Sequence, residues 1–587
     1  LKTVISIGSI LLTMGSFGST TTAQSFTLLD VTGTAGLLPY QAAGGIGAGV
    51  ASADVDDDGD IDVFLPNEQG VPDQFYRNNG DGTFTEAAAE VGLASVAKSR
   101  IALWLDFDGD GDLDLLVGRD GWAGGFGLTT PTTRTTATDL ASGGATALQL
   151  YEQDDDGRFI DVSAGSGLGT MPLVATAHLG GMCAGDINGD GFLDLCVTQW
   201  QGQTHLFLNN TNGTFTDITI PSYLVFATKT AWQPVMHDVN HDGLMDIFIS
   251  IDFEPNHLFV NQGNTIFLDY APQYGVAAAQ NEMGAAFADY DNDGDFDLYT
   301  TNIFRTFLGQ QQHSVLYRKQ ATVPNPSFLD MSFPSGTANT GWGWGLTFFD
   351  PDRNGLLDLA VTNGYSLMPW LVDTSVLFMQ DPSGNGSFTE QGAAIGFNDT
   401  DWGSSLIAFD YDRDGDQDLM QTCLLDGPVR LLRNDPSGAS ATAHSLVVRP
   451  RMVGPNSHAI GAVVRARIGD TTLSRLISCG TGFMGQEPAE AFFGLDDADV
   501  VDEVIIEWPD GNITNVFNVA ADQVITITDQ FDPSLCGRTP LDGAAPSAVT
   551  IVQVLNAWGC CDDCPEDMNA DGNVDERDLG LWFSTAR

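Results

Sequence analysis

The sequence predicts an all-β chain dominated by a seven-bladed β-propeller, followed by a small β domain and a short helical tail. Three observations lead there. An acidic nine-residue loop of the form Asp-x-(Asp/Asn)-x-(Asp/Asn)-Gly-x-x-Asp occurs seven times, starting at Asp54, Asp106, Asp186, Asp238, Asp289, Asp350 and Asp410. The copies recur every 51 to 80 residues, a period of propeller blades or repeat arrays. Each copy lies between short apolar, β-rich runs, such as Ala285-Ala286-Phe287-Ala288 before the fifth loop and Leu298-Tyr299-Thr300 after it.

Taken in chain order, the first element is an apolar stretch from Val4 to Met14 behind Lys2, with small residues through Ala23. It reads as a secretory signal peptide over residues 1–23, too short to span a bilayer. The strand Ser25-Phe26-Thr27-Leu28-Leu29-Asp30 then stands alone before the first loop.

The loops themselves demand a metal. Calcium takes six to eight oxygens, and alternate side chains of a tightly curled loop converge on one point, with Gly allowing the sharp turn. The expected ligands are Asp54, Asp56, Asp58 and Asp62; Asp106, Asp108, Asp110 and Asp114; Asp186, Asn188, Asp190 and Asp194; and Asp238, Asn240, Asp242 and Asp246. The last three loops supply Asp289, Asp291, Asp293 and Asp297; Asp350, Asp352, Asn354 and Asp358; and Asp410, Asp412, Asp414 and Asp418. A helix-flanked calcium loop would place an acid at position 12. Here that position is Leu65, Val117, Val197, Ile249, Thr300, Val361 or Gln421, so the ion is expected inside a β-hairpin turn. A lone loop of this kind is as readily a plain Asp-Gly turn; seven in phase are not.

After each loop comes a second signature, seen as Leu206-Phe207-Leu208-Asn209 followed by Gly213-Thr214-Phe215-Thr216-Asp217. It reads as a third and fourth strand, which makes each repeat one blade. The seventh repeat has Val429-Arg430-Leu431-Leu432-Arg433 but no Gly-x-Phe-Thr strand, so the N-terminal strand is expected to complete it and remove the open edge. Gly341-Trp342-Gly343-Trp344-Gly345 precedes a hairpin and not a helix, which argues against a phosphate loop, and Trp342 and Trp402 are expected to pack.

In these motifs residues 25–443 resemble the FG-GAP or VCBS repeat propellers of integrin alpha heads and of the cartilage acidic protein family. That resemblance implies ligand contact on the rim opposite the metal loops. Antiparallel alternation puts the variable connections there: the Gly- and Thr-rich insertion Gly121 to Ala147, and links carrying Phe304, Arg305, Phe307, His313, Tyr365 and Trp370.

From 444 to 530 the metal motif gives way to alternating strands, among them Ser445-Leu446-Val447-Val448-Arg449 and Glu503-Val504-Ile505-Ile506-Glu507-Trp508. With Ser478-Cys479-Gly480-Thr481-Gly482-Phe483 and Trp508-Pro509-Asp510-Gly511, the segment resembles the ASPIC/UnbV domain that follows such propellers in the cartilage acidic protein family. Its Arg449, Arg451, Arg465, Arg467 and Arg475 are expected to dock on the acidic propeller, or else on an anionic glycan.

Residues 531–587 form a Cys-containing tail in which Asp567, Asn569, Asp571 and Asp578 have the spacing of a helix-flanked, EF-hand-like calcium loop. It is similar to one half of a type I dockerin, and it would hold an eighth ion. Cys536, Cys560, Cys561 and Cys564 are expected in disulfides. Cys183 and Cys196 would pair only if the hairpin register allows it, and Cys423 and Cys479 are expected as buried thiols or an interdomain pair.

The formal net charge is −55, from 23 basic and 78 acidic residues, and the metal loops account for 25 Asp of it. This balance argues against nucleic acid and anionic membranes as partners. Neither His-Glu-x-x-His nor Gly-x-Ser-x-Gly occurs. The expectation is a secreted or cell-surface calcium-binding scaffold, not an enzyme, engaging a protein or glycan in adhesion. The alternative is a polysaccharide hydrolase or lyase with a carboxylate pair hidden among the acids.

Overall fold

The computed structural model describes residues 26–37, 47–67, 70–120, 147–171, 177–226, 230–307, 309–320, 326–365, 368–424 and 427–529. The expected signal peptide, most of the Gly121 to Ala147 insertion and the dockerin-like tail, with Asp567, Asn569, Asp571, Asp578, Cys536, Cys560, Cys561 and Cys564, lie outside the described residues.

Each of the seven repeats forms an antiparallel four-stranded sheet, and the acidic loop joins its first and second strands. The first strands are Val50–Ala53, Ser99–Leu105, His178–Gly185, Ala231–His237, Ala285–Ala288, Gly343–Phe349 and Gly403–Phe409. They touch in cyclic order, and the seventh touches the first. The seventh repeat supplies only three strands, and Phe26–Asp30 pairs with Arg430–Pro436 as the fourth. A strand from one end of the propeller thus completes the sheet at the other.

Side-chain amides lace the sheets together. The last ligand-position Asp of every loop accepts a backbone N–H from the third strand of its own sheet at 2.6–2.9 Å. The residue giving that N–H then turns its side chain to the preceding repeat. Asn78 donates to Tyr411 O, Gln153 to Val55 O, Asn209 to Phe107 O, Asn261 to Ile187 O, Gln380 to Tyr290 O and Asn434 to Pro351 O. Each accepting carbonyl is at position 2 of the neighbouring loop. The Asn78 bond joins the first sheet to the seventh. In the fifth sheet the position is Lys319, whose ammonium goes to Asp295 at 3.0 Å and His241 at 2.8 Å.

The C-terminal domain is a second β unit. His444–Arg451 pairs with Ala491–Asp496 and Gln523–Thr528, while Thr471–Leu476, Val463–Ile468, Val500–Glu507 and Ile513–Ala520 form a four-stranded sheet. Val464, Ala466, Val504 and Ile506 alternate inward along two of these strands and are fully buried.

Its segment 478–490 fills the propeller axis. Gly485 and Gln486 pair in parallel with Val50 and Ala51 of the first sheet. Gln486 donates to Trp104 O at 2.8 Å and accepts from Trp104 N at 2.6 Å in the second. Ala184 of the third donates to Cys479 O at 3.0 Å, and Gln233 of the fourth accepts from Met484 N at 2.9 Å. Ala285 and Gly482 exchange two backbone bonds in the fifth. Glu487 accepts from Thr347 Oγ1 of the sixth and from Ala408 N of the seventh. All seven inner strands are therefore bonded to one segment.

The small residues at these strands acquire a reason: a Cβ on Gly49 would lie 2.0 Å from Met484 O, and one on Gly482 2.5 Å from Leu346 O. Within this axle, Phe483 sits between Trp232 and Trp344, at centroid distances of 5.7 and 5.4 Å. Trp342 and Trp402 pack against the same core, as expected.

Cys183 and Cys196 are directly opposed in register yet are free thiols, as are Cys423 and Cys479, and all four are buried. Cys479 lies against Trp104 O in the axle, and it and Cys423 are the buried thiols expected, not an interdomain pair.

Candidate metal centre

The seven loops share one backbone. Position 6 is a glycine with positive φ in every copy, and position 4, which is Asp57, Gly109, Gly189, His241, Asn292, Arg353 or Arg413, is left-handed too. Two left-handed residues two apart curl the chain so that positions 1, 3 and 5 face inward. The first carboxylate accepts the N–H of the position-6 glycine in six loops, as in Asp54 with Gly59 at 3.1 Å and Asp186 with Gly191 at 2.7 Å. Asp106 instead accepts from Gly109 at 2.8 Å.

In four loops the carboxylates converge within 4.8 Å of one another: Asp54, Asp56 and Asp58; Asp106, Asp108 and Asp114; Asp289, Asp291 and Asp297; and Asp410, Asp412 and Asp418. The other three loops carry Asn at position 3 or 5. In two of them that Asn donates to the neighbouring acid, Asn188 to Asp190 and Asn240 to Asp242, both at 2.9 Å. In the sixth loop Asp350 accepts from Asn354 N at 3.0 Å and Gly355 N at 2.8 Å.

The donor set fits a hard cation. Asp54 Oδ1, Asp106 Oδ2, Asp289 Oδ1, Asp291 Oδ1, Asp297 Oδ2, Asp358 Oδ2 and Asp412 Oδ1 are buried oxygens with no hydrogen-bond donor. Unsatisfied buried acceptors of this kind are costly unless an ion takes them. Burial pushes Asp54 and Asp106 up to about 6, Asp62 and Asp194 to about 8, and Asp114 and Asp297 to about 9. A bound cation reverses that balance by favouring the ionised forms.

The C-terminal domain covers these loops unequally. Arg449 donates to Asp54 at 3.0 Å and also reaches Gly59 O. Ser457 lies at Asp106, Ser474 at Asp289, and the buried Arg475 guanidinium between Asp289 and Asp350. Arg465 donates to Gly294 O at 3.2 Å, Asp496 N to Arg353 O at 2.8 Å, and Ser445 Oγ to Gly415 O at 2.6 Å. The first carboxylates of loops 1, 2, 5, 6 and 7 are accordingly buried, whereas Asp186 and Asp238 of loops 3 and 4 stay half-exposed. Of the five arginines expected to dock, Arg449, Arg465 and Arg475 do so. Arg467 pairs with Glu503 of its own domain, and Arg451 donates to the carbonyls of Pro450 and Ala489.

Sequence reasoning missed the third-strand amides and the position-4 side chains. Asn292 donates to Gly355 O, Arg353 to Gly415 O and Arg413 to Gly59 O, each reaching from one loop to the next. The recurrence of Asn or Gln at the end of the third strand was the available signal for the first set; nothing in the varied position 4 announced the second.

The FG-GAP-like repeat family matches residues 45–117, 186–249 and 238–300, and the ASPIC and UnbV family matches 452–532. Cartilage acidic protein 1 of Mus musculus is 23% identical over 335 residues, covering 54% of this chain and 48% of that protein. The Xenopus tropicalis protein of the same name is 29% identical over 199 residues, 32% of this chain and 29% of its own. The chain spans about half the length, or less, of the curated relatives it matches. Among solved structures, BBS1N in complex with ARL6DN overlaps 70% of this chain and 96% of that one, at 9% identity and a TM-score of 0.40. The Vibrio cholerae biofilm matrix protein Bap1 covers 84% of this chain and 76% of its own, at 13% identity and a TM-score of 0.28. Neither overlap is close enough to add to the repeats themselves. The chain is an all-β protein of FG-GAP-like repeats followed by an ASPIC and UnbV domain, and it resembles cartilage acidic protein 1.

Proposed function

We propose that the protein is an exported, calcium-loaded binding scaffold that engages a protein or glycan through the rim opposite the metal loops, without catalysis. One observation carries this reading. The C-terminal domain occupies the metal rim and its axle fills the channel, so the opposite rim is the broad face left for a partner. Large apolar side chains are exposed there: Phe253 at 62%, Phe307 at 49%, Met368 at 75% and Val372 at 72%. The extra hairpin Arg305–Phe307 and Gln310–Gln312 projects from the same side. Exposed apolar groups rimmed by polar ones favour a partner interface.

Calcium is the ion that best suits all-oxygen loops of carboxylates and carbonyls. An extracellular site supports the same choice, because free calcium is abundant there. Among the described residues no helix is long and apolar enough to cross a membrane.

The test is an array of glycans and secreted proteins probed with calcium-saturated protein. Binding is expected, and it is expected to vanish when Phe253, Phe307 and Val372 are each replaced by Ser. Binding that survives those substitutions moves the partner to another face.

A further inference from the structure

Around the metal rim, each gap between successive loops is closed in its own way. Four are bridged by the left-handed position-4 residue, through His241 to Asp295, Asn292 to Gly355, Arg353 to Gly415 and Arg413 to Gly59. Two begin at glycines, Gly109, which packs on Pro455, and Gly189. The gap from loop 1 to loop 2 is different, because its position 4 is Asp57, an acid that points no donor at its neighbour.

That gap is a cleft of about 240 Å³ whose walls include Asp57, Asp112, Asp154 and Asp155. None of the four is a loop ligand, so ions in loops 1 and 2 would leave their charge in place. No ion pair reaches them among the described residues. Burial first, and then repulsion from Asp110, Asp57 and Asp155, pushes the Asp112 carboxyl up.

His458 of the C-terminal domain lines the same cleft, and only 8% of it is exposed. Its Nδ1 shares a hydrogen bond with Ser457 Oγ at 2.9 Å. Its Nε2 is buried without a hydrogen-bond partner. Two cations lie nearby: Arg451 gives its Nη1 to the carbonyls of Pro450 and Ala489, and Arg449 is held by Asp54 and Glu490. The four carboxylates thus face the cleft as acceptors, and Gln153, which also lines it, spends its amide on Val55 O.

We propose that this cleft receives the arginine or lysine side chain of a partner protein, which fills the place that a bridging donor takes in the gaps from loop 4 round to loop 1. A cationic donor side chain matches acceptors spread over a cleft, whereas a metal ion needs ligands converged on a point. His458 forms no such converged set. This contact lies on the metal rim and is independent of the partner face proposed above.

The experiment titrates calcium-saturated full-length protein with a short Gly-Arg repeat peptide and with its citrulline counterpart, the neutral isostere. Calorimetry at about 0.15 M salt, where the Debye length is about 8 Å, suppresses diffuse attraction to the acidic surface. The arginine peptide is expected to bind at one site and the citrulline peptide not to bind. Asp57→Asn combined with Asp155→Asn is expected to weaken binding by about tenfold or more. Asn suits the left-handed backbone at 57, so the variant folds. Asp497→Asn with Asp510→Asn, on the exposed surface of the C-terminal domain, is the control and is expected to change nothing. Equal binding of the citrulline peptide, or equal losses in the two variants, overturns the proposal. So does a calcium stoichiometry one lower in the Asp57→Asn, Asp155→Asn variant, which assigns the cleft to a metal ion.

Discussion

Loops 3 and 4 and the other five loops have one backbone and two fates. All seven curl through left-handed residues at positions 4 and 6, and all seven anchor their last Asp on the third strand. Yet Asp350 and Asp289 are fully buried beneath arginine and serine of the C-terminal domain, while Asp186 and Asp238 look out on solvent. The two open loops also carry Asn where all five others carry Asp at position 3. An identical local fold therefore does not make an identical site, because cover and charge density set how strongly a cation is held.

The largest test of this contrast is metal removal. With free calcium tenfold above its dissociation constant each loop gains about 1.4 kcal/mol, so seven gain roughly 10 kcal/mol. A chelator titration followed by melting temperature is expected to show two ions leaving early with little effect and the rest leaving with a collapse in stability. A single uniform phase would erase the distinction. Without calcium the sign of the pH dependence also follows. Burial raises Asp62 to about 8 and Asp114 to about 9, well above the ordinary 3.8 of an unfolded Asp. The folded state then binds more protons, so this contribution is fully present below about 3.8 and is lost as pH rises from there through about 8 to 9. Calcium is expected to oppose that loss, and melting curves across this range with and without chelator measure it.

Next comes the axle, which separates the covered side of the ring from a free-standing propeller. Phe483→Ala empties a fully buried site between Trp232 and Trp344 and is expected to cost about 3–5 kcal/mol in denaturant unfolding. A loss under about 1 kcal/mol would mean that the ring holds its shape without the segment.

A direct comparison of the two loop classes is sharper though smaller. In calcium, Asp350→Asn strips the charge facing buried Arg475 and is expected to cost about 3 kcal/mol. Asp186→Asn, in an open loop, forfeits about one ion, or roughly 1.4 kcal/mol. Equal costs would show that the cover contributes nothing.

Last is the lacing between sheets. Asn261→Ala removes the bonds to Ile187 O at 2.8 Å and Met245 O at 3.2 Å, for an expected loss of about 1–3 kcal/mol. The loss should be the same with and without calcium, since the amide touches carbonyls and not the carboxylates.

The sequence by itself determined the repeat, the hairpin loops, their carboxylate positions and the supply of a fourth strand from Phe26–Asp30. Those features rest on contacts a few residues apart, such as Gly191 with Asp186, or on a simple count of strands per repeat. Only the tertiary structure decided that segment 478–490 runs down the axis, which loops it covers, and where a gap of acceptors is left. Ser52 meets Gln486 across 434 residues of chain, and Arg449 meets Asp54 across 395. No local pattern encodes such pairs. Small inner-strand residues and a run of arginines announce that something packs closely on the ring, but docking geometry follows from the shapes of two folded surfaces, which exist only after each has formed.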